Sequence, residues 1–325
     1  MSVELENTSH LHRANQAHVT TLDQHTYKVL AQHAKSFHLA GLFLPKKNLV
    51  DASLIYTFCR LVDDISDEEF SENPIEDLHN LEKELYNSDQ ARPLVQRLLT
   101  LSEEKSISKQ VYLDLIYGCK KDIKGQNITT LNDLIEYCYE VAGTVGLMMA
   151  KILDVNSKEA LKFAIDAGIA LQLTNISRDV LEDIEKGRCY IPERWIQGAG
   201  YEMNEFYNKE IHEDLVISYT KQLLALADNY YKSSYNGLNK IPFKSRLGIC
   251  IALKLYRKIG RKLLRKGANP LKGRTMLTGF EKILGILSGL KLFLSPKVLG
   301  LIPSRRHKEH LHIAIQHRIK AFNLN

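Results

Sequence analysis

Chain breakers are scarce in this sequence. Its 325 residues include eight prolines and eighteen glycines, which favours long uninterrupted elements over many turns and points to helices. Alternating strand-like runs are equally rare. Cysteine is sparse too: the five, at 59, 119, 138, 189 and 250, are odd in number and share no C-x-x-C spacing. That argues against a disulfide framework or a zinc knuckle, and for a reducing cytosol. The twelve histidines gather near both ends with no H-E-x-x-H or paired metal spacing and read as solvated terminal residues. No stretch of eighteen uncharged apolar residues occurs, so no spanning helix is expected. The polar start, MSVELENTSHLHRANQ, lacks an apolar h-region and predicts no signal peptide. No repeat of fixed period is evident, which disfavours a solenoid, and no G-x-G-x-x-G dinucleotide loop is present.

What is there is ordinary in bulk. Apolar residues make up 44% and charged residues 25%, a globular balance with enough chain for one large core. The net charge of +6 suits an anionic partner, whether nucleic acid, anionic lipid or a phosphorylated substrate, without choosing among them. Residues 1–22 read as a flexible tail. From 24 to 270 apolar residues recur every three or four positions, as in LIYTFCRLVDDI and FAIDAGIALQLTNI, broken only briefly. This predicts an all-α bundle with one continuous core and no dividing linker. The end differs. Residues 276–303 are apolar but interrupted by Lys282, Lys291, Pro296 and Lys297, and a basic tail follows with Arg305, Arg306, Lys308, Arg318 and Lys320. Two readings stand for it: a segment lying in a membrane interface with its cations towards anionic head groups, or a last helix folded back on the core.

Two acidic clusters sit inside apolar helices. In the first, Asp63 and Asp67 are four apart and share a helix face, about 6 Å apart along the axis; Arg60 lies one turn before Asp64. In the second, Asn175, Asp179 and Asp183 recur every four residues, flanked by Arg178 and Glu182. Either cluster alone reads as a solvated, salt-bridged face. Together they point elsewhere, because like charges four apart weaken a helix unless a cation binds them, and Asn is a poor mid-helix residue. Facing stripes of oxygen donors suit Mg²⁺, a hard ion that completes its shell with phosphate oxygens. Arg60, Arg178 and Arg188 could then neutralise a diphosphate by bidentate hydrogen bonds.

The second cluster, QLTNISRDVLEDIEKGRCYIPE, resembles the second motif of the squalene/phytoene synthase family, and the first resembles that family's aspartate-rich motif. Ser36-Phe37, YCYEVAGTVGLMM at 137–149, Tyr256-Arg-Lys-Ile-Gly260 and Arg274 agree with it. The resemblance covers about 30–285 and is strongest to the bacterial phytoene-forming branch. It implies a single-domain class I isoprenoid synthase helical bundle with a central cavity, a catalytic domain at 23–285 and a separate basic segment at 286–325. It implies metal ligation by Asp63, Asp67, Asn175, Asp179 and Asp183, with Mg²⁺ or in its place Mn²⁺. Ser36, Arg60, Gln172, Arg178, Arg188, Tyr190 and Arg274, with Phe37, are implied to bind substrate, and Tyr56 and Tyr256 to stand near the reacting carbons. Phe37, Val141, Val145, Leu147, Leu171 and Leu173 are candidate tunnel residues, the ordinary-core reading standing beside it.

The activity implied is head-to-head condensation of two geranylgeranyl diphosphates through a cyclopropyl diphosphate to phytoene, in carotenoid biosynthesis, with no NADPH needed. The alternatives are squalene, presqualene or dehydrosqualene synthesis from farnesyl diphosphate and, from another class, a non-catalytic membrane-associated assembly factor. Prenyl diphosphates are the expected partners, with peripheral contact to lipid on the inner face of the membrane. Nucleic acid is not expected, since the basic tail lacks interleaved aromatics. The oligomeric state stays open.

Overall fold

The computed structural model describes residues 21–67, 71–125, 128–202 and 213–324. Glu68 and Glu69 of the first cluster, and nearly all of the tail expected at 1–22, lie outside them. The chain forms a helical stretch at 21–33 (α1), then α2 (Lys35–Gly41), α3 (Lys46–Ser66), α4 (Pro74–Tyr86), α5 (Pro93–Lys105), α6 (Lys109–Ile123), α7 (Leu131–Cys138), a π-helical turn (Tyr139–Gly143), α8 (Thr144–Ile152) and α9 (Lys158–Glu185). There follow α10 (Glu193–Gly198), α11 (Glu213–Ser234), α12 (Phe243–Arg265), α13 (Gly279–Phe293), α14 (Pro296–Leu299) and α15 (Gln316–Ala321). No strand occurs among the described residues.

The long helix α9 is the axis of the bundle. Ser157 caps its start by accepting from the Ala160 N–H, satisfying one of the orphan donors of the first turn. Its sequence is apolar on nearly every side, as a helix buried on all faces requires, and α8, the π turn, α11 and α12 all pack on it. Two glycines set how close α8 and the π turn come. A Cβ at Gly146 would stand 2.1 Å from the Ala164 carbonyl oxygen, and one at Gly168 2.1 Å from that of Ala142. Backbone meets backbone at this crossing, and only hydrogen fits. The surrounding core is continuous, with Phe58, Tyr112, Tyr139 and Tyr231 almost wholly enclosed.

The C-terminal segment packs on the body, as the second of its two readings expects. Helix α13 packs on α12 and buries Gly285, Gly289 and Phe293. Its other face leaves Phe280, Ile283, Leu287 and Leu294 exposed, because apolar residues surround this helix and only one side of it meets α12. The boundary expected at 285/286 falls inside α13, so no separate segment begins there. Beyond α14 the chain returns along the body as a strap. Ile315, Ile319 and Leu324 enter the main core, and Arg318 reaches Asp114 at 2.7 Å and Glu140 at 3.1 Å. The expectation of solvated terminal histidines fails for His307 and His312, which are buried against Asp166. Strap residues that fill core space carry their neighbours out of water with them.

The glycine crossing gives the first test. Gly168→Ala forces the α9–π contact apart, and overpacking of this kind costs about 1–3 kcal/mol. A lowered denaturant midpoint is the expected result, whereas an unchanged midpoint would mean that the crossing is looser than described.

Candidate functional site

One cavity of about 360 Å³ lies beside α9, and it is apolar except at one end. Its walls come from α2, α3, the π turn and α8, α9 and α12, with Phe37, Tyr56, Val141, Val145, Leu171 and Ala252 among them. Asp63 of α3 and Gln172 and Asn175 of α9 close the polar end. One member of each stripe, Asp63 and Asn175, therefore faces the same space, while Asp67, Asp179 and Asp183 stand outside the cavity wall. Ala160, Ala164, Ala167, Leu171 and Asn175 all line it from a single helix, so the cavity follows α9 for roughly 22 Å at 1.5 Å per residue.

The polar end is crowded with carboxylates. Asp63 is exposed to the cavity it lines, yet the apolar walls around it push its carboxyl up to about 7, with Asp122 and Asp64 adding to the rise and Arg60 and Arg188 opposing it. Asp183 is pushed to about 8, first by burial and then by Asp179, Glu182 and Asp122. Asp122 on α6 stands at about 6, raised by burial, although the Tyr137 and Tyr190 hydroxyls donate to it at 2.8 and 2.9 Å. Each of these acids counts Arg188 among its neighbours. Arg188 owes that place to Gly187, which ends α9 at φ +70. The Arg188 N–H then bonds back to the Asp183 carbonyl and the Gly187 N–H to that of Ile184, a Schellman closure that needs a residue tolerant of the left-handed region.

The arginines are already engaged. Arg178 clasps Asp179 through two bonds, at 2.7 and 2.5 Å, and Arg274 joins from the loop before α13 at 3.1 Å while also reaching Glu182 at 3.2 Å. Arg60 pairs with Asp64 at 2.7 Å. Asp67, where α3 ends, meets Lys186 at 3.3 Å, tying the two acidic helices together at their ends. Phe37 stacks on Tyr256 with centroids 4.6 Å apart, and burial raises the Tyr256 phenol to about 12. Ser36 is half-buried on α2 beside Phe37.

Leu147, Leu173 and Tyr190 stand outside the cavity wall. Leu147 and Leu173 lie in the main core instead; both occupy faces of their helices turned towards packed neighbours. Tyr190 is found on Asp122, with its ring stacked on Tyr137 at 4.9 Å. Asp122 was not singled out from the sequence, where the run KKDIK reads as a solvated helix end. Only the convergence of α3, α6 and α9 shows its place.

An all-oxygen donor set of this kind fits divalent magnesium. Asn175 supplies the sharpest sign of fit, since its Oδ1 is buried with no hydrogen-bond partner, a state that ordinarily costs stability. A bound cation would satisfy it and neutralise the crowded acids together.

The family model described as squalene/phytoene synthase matches residues 30–281. The chain belongs to that family. A 15-cis-phytoene synthase of Pantoea ananas is 30% identical over 300 residues, covering 88% of this chain and 97% of that protein. A second 15-cis-phytoene synthase, of Enterobacter agglomerans, is 32% identical over 263 residues, covering 77% and 88%. Among solved structures, a dehydrosqualene synthase in complex with ligand superposes with a TM-score of 0.74 at 25% identity, covering 85% of this chain and 97% of that one. The squalene/phytoene synthase family has the isoprenoid synthase helical fold, and the all-α bundle expected from the sequence is the one found. Among the described residues no helix is long and apolar enough to cross a membrane.

The raised acids set a pH dependence for the metal-free protein. Between 3.8, the ordinary Asp value, and about 7–8 the folded chain binds more protons than the unfolded one, so stability falls as pH rises through that window. Chelator-treated protein is expected to melt at lower temperature at pH 8 than at pH 6, and Mg²⁺ to raise the melting point more at pH 8. Equal Mg²⁺ shifts at both values would contradict the crowding described.

Proposed function

We propose that this chain is a phytoene synthase, which condenses two geranylgeranyl diphosphates head to head to phytoene. The observation that carries the proposal is the long apolar cavity with Asp63 and Asn175, one member of each oxygen-donor stripe, at its polar end. It matches a substrate with a greasy tail and a diphosphate head. Asp63, Asp67, Asn175, Asp179 and Asp183 are the residues that would hold Mg²⁺, or Mn²⁺ in its place. When bound, such ions draw negative charge onto the departing diphosphate.

The chain's own residues do the rest. Arg178 and Arg274 exchange their grip on Asp179 for diphosphate oxygens, and Arg60 and Arg188 approach from either side with Ser36. Gln172 helps seat the head group from the cavity wall, and Tyr190 holds Asp122 in place beside it. Departure of the diphosphate leaves an allylic cation, which the double bond of the second substrate attacks. Loss of a proton closes a cyclopropane. Departure of the second diphosphate, ring rearrangement and a last proton loss give a conjugated triene. Tyr56, Phe37 and Tyr256 present ring faces to the cationic carbons. The apolar walls keep out water, which would otherwise trap the cation. No reductant is consumed, since the triene keeps the oxidation level that squalene formation would lower.

Incubation with Mg²⁺ and geranylgeranyl diphosphate, without NADPH, is expected to yield a forty-carbon triene. The Asp63→Ala/Asp179→Ala variant is expected to yield at least a hundredfold less. Ala160→Phe, at the far end of the α9 stripe, shortens the tunnel and is expected to shift preference at least tenfold towards farnesyl diphosphate. A thirty-carbon product from the unaltered enzyme would favour the farnesyl-using reading; no product from either substrate in folded protein would refute the enzyme.

The exposed face of α13 supports peripheral contact with lipid. Phe280, Ile283, Leu287 and Leu294 are open on it, and Lys282 and Lys291 belong to the same helix. Leu42 and Phe43 are also exposed, between the cavity-wall residues Gly41 and Leu44. A hydrocarbon product needs an apolar phase to enter. Co-sedimentation with vesicles containing anionic lipid is expected, with at least a fivefold loss in Ile283→Glu/Leu287→Glu; equal sedimentation of that variant would exclude α13 as the contact.

A further inference from the structure

Far from the carboxylate end, on the first half of α9, a second polar cluster is sealed into the body. Asp166 sits there with no accessible side-chain surface, facing His307 and His312 from the returning strap, whose side chains are 1% and 2% exposed. The His307 Nε2 lies 3.0 Å from one carboxylate oxygen and the His312 Nε2 2.8 Å from the other. The two rings are 4.2 Å apart. One donor atom from each of the three residues falls within 4.8 Å of the others.

Hydrogen bonding alone leaves this cluster incomplete. If both rings donate Nε2–H to Asp166, both Nδ1 atoms are bare acceptors, and both are buried without a partner. Two such orphans in one spot are expensive. With a metal on the Nε2 side each Nδ1 carries the proton and becomes a donor, for which the His312 ring has no partner either. A Glu309 oxygen, held by Lys162 at 2.9 Å, stands 3.8 Å from the His307 Nδ1, beyond hydrogen-bond reach but on the side from which a carboxylate supports a metal-bound imidazole. A tetrahedral ion with bonds of about 2.0–2.2 Å needs neighbouring donors about 3.3 Å apart. The two histidine–carboxylate pairs, now on different oxygens of Asp166, would open by a few tenths of an ångström and turn towards one ion. Two imidazoles also select against magnesium, which prefers oxygen, and for zinc.

We propose that Asp166, His307 and His312 form a structural Zn²⁺ site that fastens the C-terminal strap to α9, with water in the fourth position. The site is separate in place and in donor chemistry from the oxygen-lined end of the cavity. The H-x₄-H spacing of His307 and His312 is a paired metal spacing after all, of the kind found in zinc sites. Zinc binding and catalytic magnesium binding would therefore be independent.

The test uses the full-length protein, stripped with chelator and then given Zn²⁺ in the presence of excess Mg²⁺. After desalting, elemental analysis is expected to find one zinc per chain, held more tightly than micromolar. Co²⁺ in its place is expected to give the strong visible bands of a tetrahedral ion. His312→Ala is expected to lose the metal. His312→Cys should keep it and add a thiolate-to-cobalt charge-transfer band, a readout that a purely hydrogen-bonded latch would not produce. The Asp63→Ala/Asp179→Ala variant is expected to retain the full equivalent. Failure of the unaltered protein to retain zinc would overturn the proposal, as would retention undiminished in His312→Ala.

Discussion

The burial of carboxylates close to one another is the constraint around which this protein is arranged. Asp63, at the polar end of the cavity, stands near Asp122, and Asp122 near Asp183, the three coming from three helices, and each is held above the ordinary aspartate range. The chain does not relieve that strain with cations of its own in equal number. Arg188 is shared among all three, and Arg178 and Arg274 are spent on Asp179. The packing of the bundle must therefore hold together a site that by itself would fly apart. Such a site has strong electrostatic appetite for divalent cations and, through them, for a diphosphate.

The apolar remainder of the cavity has a different origin. It exists in part because Ala164 and Ala167 stand on its wall where larger residues would fill the space; Gly41 and Gly248 let neighbouring chain approach, since a Cβ there would meet Leu49 and Leu44 at 2.8 Å. The crossing of α9 with the π turn and α8 fixes the distance between opposite walls, since main chain already touches main chain there. A rigid frame around an empty, oily channel suits a reaction whose intermediate is destroyed by water.

Much of this could be read from residue spacing. The four-residue recurrence at Asn175, Asp179 and Asp183 declared a shared helix face, and Arg60 was found against Asp64 as that spacing required. Helical periodicity sufficed for the all-α bundle. It could not sort cavity wall from core on α9, because that helix is apolar nearly all round; Leu171 lines the channel while Leu173, two residues on, faces packed helices. Asp122 escaped notice because flanking lysines imitate a solvated end. The buried histidines escaped it because their partner Asp166 lies 141 and 146 residues away, and local pattern carries no information about such pairings.

The strap also has a meaning in time. Arg318 and its partner Asp114 are 204 residues apart, and the residues that fasten the strap are made after the helices it closes over. Closing so long a loop adds little to the entropic cost, which grows only with the logarithm of length, but it fixes an order of events. Domains fold as the chain emerges, N-terminal parts first. Every new molecule thus spends an interval with its helices assembled and the back of α9 still open. Strap closure can follow only after the strap itself has been made, and in the folded chain Asp114, Glu140 and Asp166 are all buried.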